Sequence, residues 1–172
     1  KSFVSLGGNC AITYQLNKLK LRNNAYPFDW SQVKINKIIE AFESNFNNFS
    51  NVKLEKYSDN HQSYLVGSPY AKYAHEVLTD SDILSFASHL ERRIERLREI
   101  SNPTFVRIET YNFKDIDTYR NYWIKLCQLF NKNYDNNYQI ILISKLNPNL
   151  DKIKWYEYTS FDNDWTNDKL SW

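Results

Sequence analysis

Glycine is nearly missing from this chain, with three in 172 residues. Two of the three, Gly7 and Gly8, are adjacent, so the backbone's one glycine-rich turn lies close to the start. Cysteine is as sparse, with only Cys10 and Cys127. Two thiols in unlike settings do not make a secreted disulfide framework. No paired Cys or His spacing suits zinc, and no metal is expected. Methionine is absent. No hydrophobic run approaches the ~20 residues of a membrane-spanning helix, and no signal peptide is visible, so no membrane partner is expected. The net charge is only +2. That is too weak a field for a dedicated nucleic-acid binder.

The rest of the composition is that of a globular domain, with 42% hydrophobic and 24% charged residues. Aromatics are plentiful at 16%, and there are 21 Asn. The Asn, Lys, Ile and Tyr bias suggests AT-rich coding and says little about chemistry. A length of 172 residues is enough for one domain with its own core. With no Met and an abrupt stop at Trp172, the chain reads as a single domain, 1–172, cut from a longer multidomain protein.

The stretch Ser5-Leu6-Gly7-Gly8-Asn9-Cys10 joins an opening strand, Lys1 to Leu6, to an amphipathic helix, Ala11 to Leu21. Ile12, Leu16 and Leu19 mark the apolar side of that helix. The glycines allow a tight turn and close backbone approach. Asn9 is a good N-cap. Cys10 then falls in the first turn, where unpaired N–H groups and the helix dipole favour thiolate. A buried structural cysteine is the equally weighted alternative. Cys127, among Trp123, Leu126 and Phe130, reads as a core residue.

Downstream, Tyr26-Pro27-Phe28-Asp29-Trp30 is a loop, because Pro27 cannot continue a helix. Asp29 reads as the cap of the following helix, with orientation of a histidine as its functional alternative. That helix is expected over Ser31 to Phe46, followed by an Asn-rich connection, Asn45 to Asn51. Ser63 to Val66 reads as a strand, and Tyr70 to Val77 as an extended segment carrying His75. A third helix runs from Thr79 to about Ile100, its Glu/Arg face a solvated set of salt-bridged pairs. Strand Thr104 to Glu109, helix Asp115 to Asn131 and strand Tyr138 to Ser144 then alternate, and Lys154 to Tyr158 forms a last strand. Such alternation implies an α/β fold: a three-layer domain whose mostly parallel central sheet is flanked by helices. Ligands gather at the carboxyl ends of such strands, where Gly7 to Cys10, Glu109 to Asn112 and the residues after Ser144 should meet.

Of the three histidines, His89 sits in the Arg-rich helix and His61 in a polar loop. His75 is the best candidate base for Cys10. Asp29, Glu109, Asp162 and Asp164 are open as the third group, with Asp29 ranked first. Backbone N–H groups at Gly8, Asn9 and Cys10, or the Asn9 amide, can form an oxyanion hole. Trp30, Arg107 and Glu109 complete the candidate substrate-binding set.

Ser5 to Cys10, the Leu16-to-Leu21 helix end and Tyr26 to Trp30 together resemble the opening signature of a domain family of unknown function labelled as papain-like cysteine peptidases. Ala74-His75-Glu76 resembles its His-acid element, Arg92 to Arg96 its arginine-rich helix and Phe105-Val106-Arg107 its following strand. The resemblance covers about Ser2 to Glu109 and implies a Cys10–His75 pair. It departs from the pattern at Glu76, where Asp is expected, and in its doubly wound strand order.

The resemblance also implies a setting beside glycan-building domains, including in large viruses. The first expectation is therefore an acyltransferase: acetyl-CoA as co-substrate, Cys10 carrying the acetyl group as a thioester, and an amino sugar or glycan as acceptor. The expected location is the cytoplasm, of the host if the chain is viral. The second is a papain-like peptidase or amidase using the same pair. The third is a non-catalytic carbohydrate-binding module presenting Trp30, Trp155, Trp165 and Tyr158.

Overall fold

Phe105, Ile140 and Leu142 join one buried cluster, while the intervening Val106, Ile108, Ile141 and Ile143 join another. Strands alternate their side chains between faces, so this pattern marks a sheet covered on both sides. The computed structural model describes residues 2–58, 63–77, 79, 82–109 and 111–157, apart from the side chains at 57, 58, 63, 64 and 75.

The element order is β1 (Ser2–Ser5), α1 (Ala11–Lys18), β2 (Ser31–Gln32), α2 (Ile35–Glu43), β3 (Lys53–Ser58), β4 (Ser63–Gly67), β5 (Lys72–Val77), α3 (Asp82–Glu99), β6 (Pro103–Ile108), α4 (Ile116–Tyr134), β7 (Gln139–Ser144) and β8 (Ile153–Glu157). The central sheet has four strands in the order β1-β6-β7-β8, all parallel. The α/β reading therefore holds. Ala11, Ile12 and Leu16 of α1 cover one face. On the other face Trp123, Leu126 and Phe130 of α4 pack with α2 and α3, and the Phe130 ring stacks on Phe105 at 4.2 Å.

A second sheet, β2-β5-β4-β3, is antiparallel. Its existence was not legible, because β2 is two residues long and β3 lies in an ambiguous polar stretch. The helix expected from Ser31 begins instead at Ile35, since Ser31 pairs with Tyr73 across β2 and β5. It ends at Glu43, ahead of positive φ at Asn45 and Phe46. Helix α1 stops at Lys18, and a left-handed Lys20 turns the chain so that Leu21 N–H and Arg22 N–H both reach Leu16 O. Leu19, expected on the apolar side, is thus half-exposed. Helix α4 runs past Asn131 to Tyr134, whose ring packs on Phe105 and Phe130. It starts where expected, with the Asp115 carboxylate accepting from Asp117 N–H and Thr118 N–H.

The Gly7-Gly8 turn is wedged between the sheets. Both glycines have positive φ, +65° and +96°. A Cβ on Gly7 would meet Val33 at 2.4 Å, and one on Gly8 would meet the Ile108 carbonyl oxygen at 2.0 Å. That close approach is what glycine permits and alanine does not.

Gly8→Ala is expected to cost about 2–4 kcal/mol, from a strained φ and a clash with rigid backbone. Gly67→Ala, facing only the movable end of Glu55, should cost under about 1 kcal/mol. Urea unfolding of both variants checks the contrast. Equal midpoints would mean that the turn is not held against β6.

Candidate active site

The turn after β1 is fixed from three sides. Ser5 Oγ accepts from Gly7 N–H at 3.1 Å. The Arg107 guanidinium donates to Leu6 O at 2.8 Å, to Val33 O at 3.0 Å and to the Glu109 carboxylate at 2.9 and 3.2 Å. Both charged side chains are buried, with 0% and 2% exposure. Arg107 and Glu109, expected to face substrate, are thus engaged inside the protein. Glu109 also accepts from Tyr111 N–H.

Beyond the glycines, Asn9 Oδ1 accepts from Ala11 N–H at 3.0 Å. Asn9 caps from one residue earlier than expected, since Cys10 holds the N-cap position with helical φ/ψ and no side-chain cap bond. Cys10 O takes the first helical bond, from Tyr14 N–H. The N–H groups of Gly8, Asn9 and Cys10 donate to no acceptor among the described residues.

The Cys10 thiol donates to the Trp30 carbonyl oxygen at 3.5 Å. Trp30 is half-buried and has φ +56°, a conformation rare for a large side chain. Its N–H is held by Thr13 Oγ1 at 3.0 Å. Thr13 Oγ1 in turn reaches Asp29 Oδ1. Asp29 does not cap the following helix, as expected. Its carboxylate accepts from Tyr26 N–H at 2.8 Å and from Arg22 at 2.9 Å, closing its own loop. Burial pushes the Asp29 carboxyl up, and Arg22 and the Tyr26 N–H draw it back. Tyr73 Oη fastens the same loop by donating to Pro27 O.

Across from Cys10, Glu76 of β5 forms a two-pronged ion pair with Arg93 of α3, at 2.7 and 3.1 Å. Arg93 is buried, not part of a solvated face as expected. The signal was present: Phe86, Leu90, Arg93 and Leu97 share helical spacing on the buried side. Thr13 and Arg22 were also missed, and Thr13 lay on the apolar side of the first helix.

The thiol is not held as thiolate. Burial first, and the Glu76 carboxylate second, push the Cys10 pKa up to about 11. The α1 dipole does not overcome the loss of solvent around the sulfur. His75 lies on β5, and its side chain falls outside the described residues. His61, Tyr158, Asp162, Asp164 and Trp165 also lie outside them. His89 is exposed. Cys127 is half-buried against the main core. Trp155 is half-buried, with its Nε1–H donated to Ser144 O and Oγ. Among the described residues no group of three or more His, Cys, Asp or Glu is placed to hold a metal ion. None of their helices is long and apolar enough to cross a membrane.

A family described as "Putative papain-like cysteine peptidase" matches residues 1–145, from the first strand to the end of β7. The chain belongs to this family. The match takes in the Gly7-Gly8 turn, Cys10, the Tyr26–Trp30 loop and the Glu76–Arg93 pair. The chain is also similar to the uncharacterized protein R408 of Acanthamoeba polyphaga mimivirus, at 40% identity over 63 residues. That stretch is 34% of this chain and 28% of the mimivirus protein's length. No solved structure matches the chain.

In a Cys127→Ala background, iodoacetamide should modify Cys10 about a hundredfold more slowly at pH 8 than an ordinary thiol, the rate rising towards about pH 11. Glu76→Gln removes a negative charge that opposes ionisation, so it should lower the midpoint and speed modification at pH 8. A fast rate already flat from pH 6 would show that a cation governs the resting thiol instead.

Proposed function

We propose that this family member is a cysteine hydrolase, a peptidase or amidase, with Cys10 as its nucleophile. The observation that carries this reading is the turn itself. It presents a thiol at a helix start beside three N–H groups that meet no acceptor among the described residues, and it aims the S–H bond at a carbonyl oxygen held in a strained conformation. Strain of that kind costs about 1–3 kcal/mol and collects at functional sites.

In the proposed reaction His75 takes the thiol proton and the sulfur attacks the acyl carbon. The developing oxyanion lies against the N–H groups of Gly8, Asn9 and Cys10. The carbon–nitrogen bond breaks, His75 returns the proton to the leaving amine, and water then cleaves the thioester. A neutral resting thiol suits this order, because the proton leaves only when a base and a substrate are both in place. Glu76, held on both oxygens by Arg93, acts on the sulfur through its charge and not as the group that orients His75. Asp29 serves as a positioning residue for the Tyr26–Trp30 loop. Acetyl transfer from acetyl-CoA to an amino sugar would pass through the same thioester, with an amine in place of water.

A peptidyl vinyl sulfone should label Cys10 once per chain, and Cys10→Ala should abolish the label. His75→Ala should keep the fold and slow labelling by about 10²-fold or more. Failure to label Cys10, or equal labelling in the His75 variant, would end the proposal. Thiol release from acetyl-CoA that appears only when glucosamine is added would move the assignment to acyl transfer.

A further inference from the structure

The carboxyl ends of β6 and β7 enclose a pocket of about 180 Å³ that the Cys10 chemistry does not use. Its lining includes Glu109, Phe113, Tyr119, Ser144, Lys145 and Leu146. Open parallel sheets bind ligands at this end of their strands. The volume falls below the roughly 300–1,000 Å³ of drug-sized sites, so the occupant is a small molecule.

The polar atoms say what kind. Tyr119 is completely buried, and its hydroxyl has no hydrogen-bond partner. Ser144 and Trp123 are its polar neighbours, and the Trp123 Nε1–H beside it is likewise unpartnered. Ser144 Oγ instead donates to Leu146 O and accepts from Trp155 Nε1–H. A buried donor left without an acceptor is costly, and native structures keep few of them. Burial pushes the Tyr119 phenol up to about 12, so it remains a donor at neutral pH. Lys145, at the pocket mouth, forms no ion pair among the described residues. The one carboxylate in the wall, Glu109, is already neutralised by Arg107 and bonded to Tyr111 N–H. The groups that favour an anion are therefore a neutral donor and a cation, with the Asn112 amide also on the wall, set beside the rings of Phe113 and Tyr119, which lie 4.6 Å apart by centroid.

We propose that this pocket binds a small organic monocarboxylate, with its oxygens on Tyr119 Oη and Lys145 Nζ and its apolar body against Phe113 and Leu146. A cation finds no free carboxylate there. A phosphate dianion has one lysine for two charges and an apolar wall. The site is argued without Cys10, and it stands or falls apart from the hydrolase reading.

The test is ligand-observed NMR on the intact chain, titrating acetate, butyrate and benzoate, with benzamide as the neutral control. At least one carboxylate should saturate with a dissociation constant on the order of 1 mM, while benzamide gives no saturable response. Tyr119→Phe should weaken that carboxylate about tenfold and leave the ligand-free protein at least as stable, because it removes an unpartnered hydroxyl. Lys145→Ala should weaken it further and flatten its salt dependence. Saturation by none of the three, equal binding of benzamide, or unchanged affinity in the Tyr119 variant would overturn the proposal.

Discussion

A single buried guanidinium ties the two sheets of this protein to the turn that carries Cys10. Arg107 projects from β6 and reaches the carbonyl before Gly7, the carbonyl of Val33 just beyond β2 and the carboxylate of Glu109. Removing a charge from water is expensive, and a buried pair persists only where its hydrogen bonds are complete. Here four of the five guanidinium N–H groups are bonded, with Tyr111 N–H added on the carboxylate. The Gly8 turn is pressed against the β6 backbone beside it. The position of the thiol therefore follows from an ion pair in the core as much as from helix α1.

That arrangement places the sulfur in a half-buried, negatively biased setting. Glu76 and Asp29 each have an arginine, Arg93 and Arg22, and the second pair closes the Tyr26–Trp30 loop. The loop answers by turning a carbonyl towards the thiol through a left-handed Trp30. The result is a protected thiol, neutral at rest, beside a row of N–H groups.

Much of the central sheet was legible because its strands are buried runs, and continuous apolar stretches such as Gln139–Ser144 read clearly. The turn at Gly7 and Gly8 was legible from glycine scarcity alone. The second sheet was not. Its strand β3 is polar and exposed at residues 53–56, β5 read only as an extended segment, and β2 makes only two pairs. Residue roles were harder still. Arg107 and Glu109 look like substrate ligands because charge inside a strand is unusual, and only packing reveals that they answer each other. The thiol's environment was misread for the same reason: a helix dipole is a local property, whereas burial depends on β5, α3 and the Trp30 loop arriving together.

The Arg107–Glu109 pair sets the fold of the turn and, through it, the position of Cys10. A paired comparison of Arg107→Met with Arg107→Met/Glu109→Leu tests this most directly, following urea unfolding and Cys10 modification rate in the same samples. Arg107→Met should lose ~3–5 kcal/mol by stranding a buried carboxylate, and the double variant should recover much of that loss. Modification of Cys10 should stay altered in both, since Leu6 O and Val33 O have lost their donor. Wild-type stability in Arg107→Met, or an unchanged Cys10 rate in the double variant, would contradict the account.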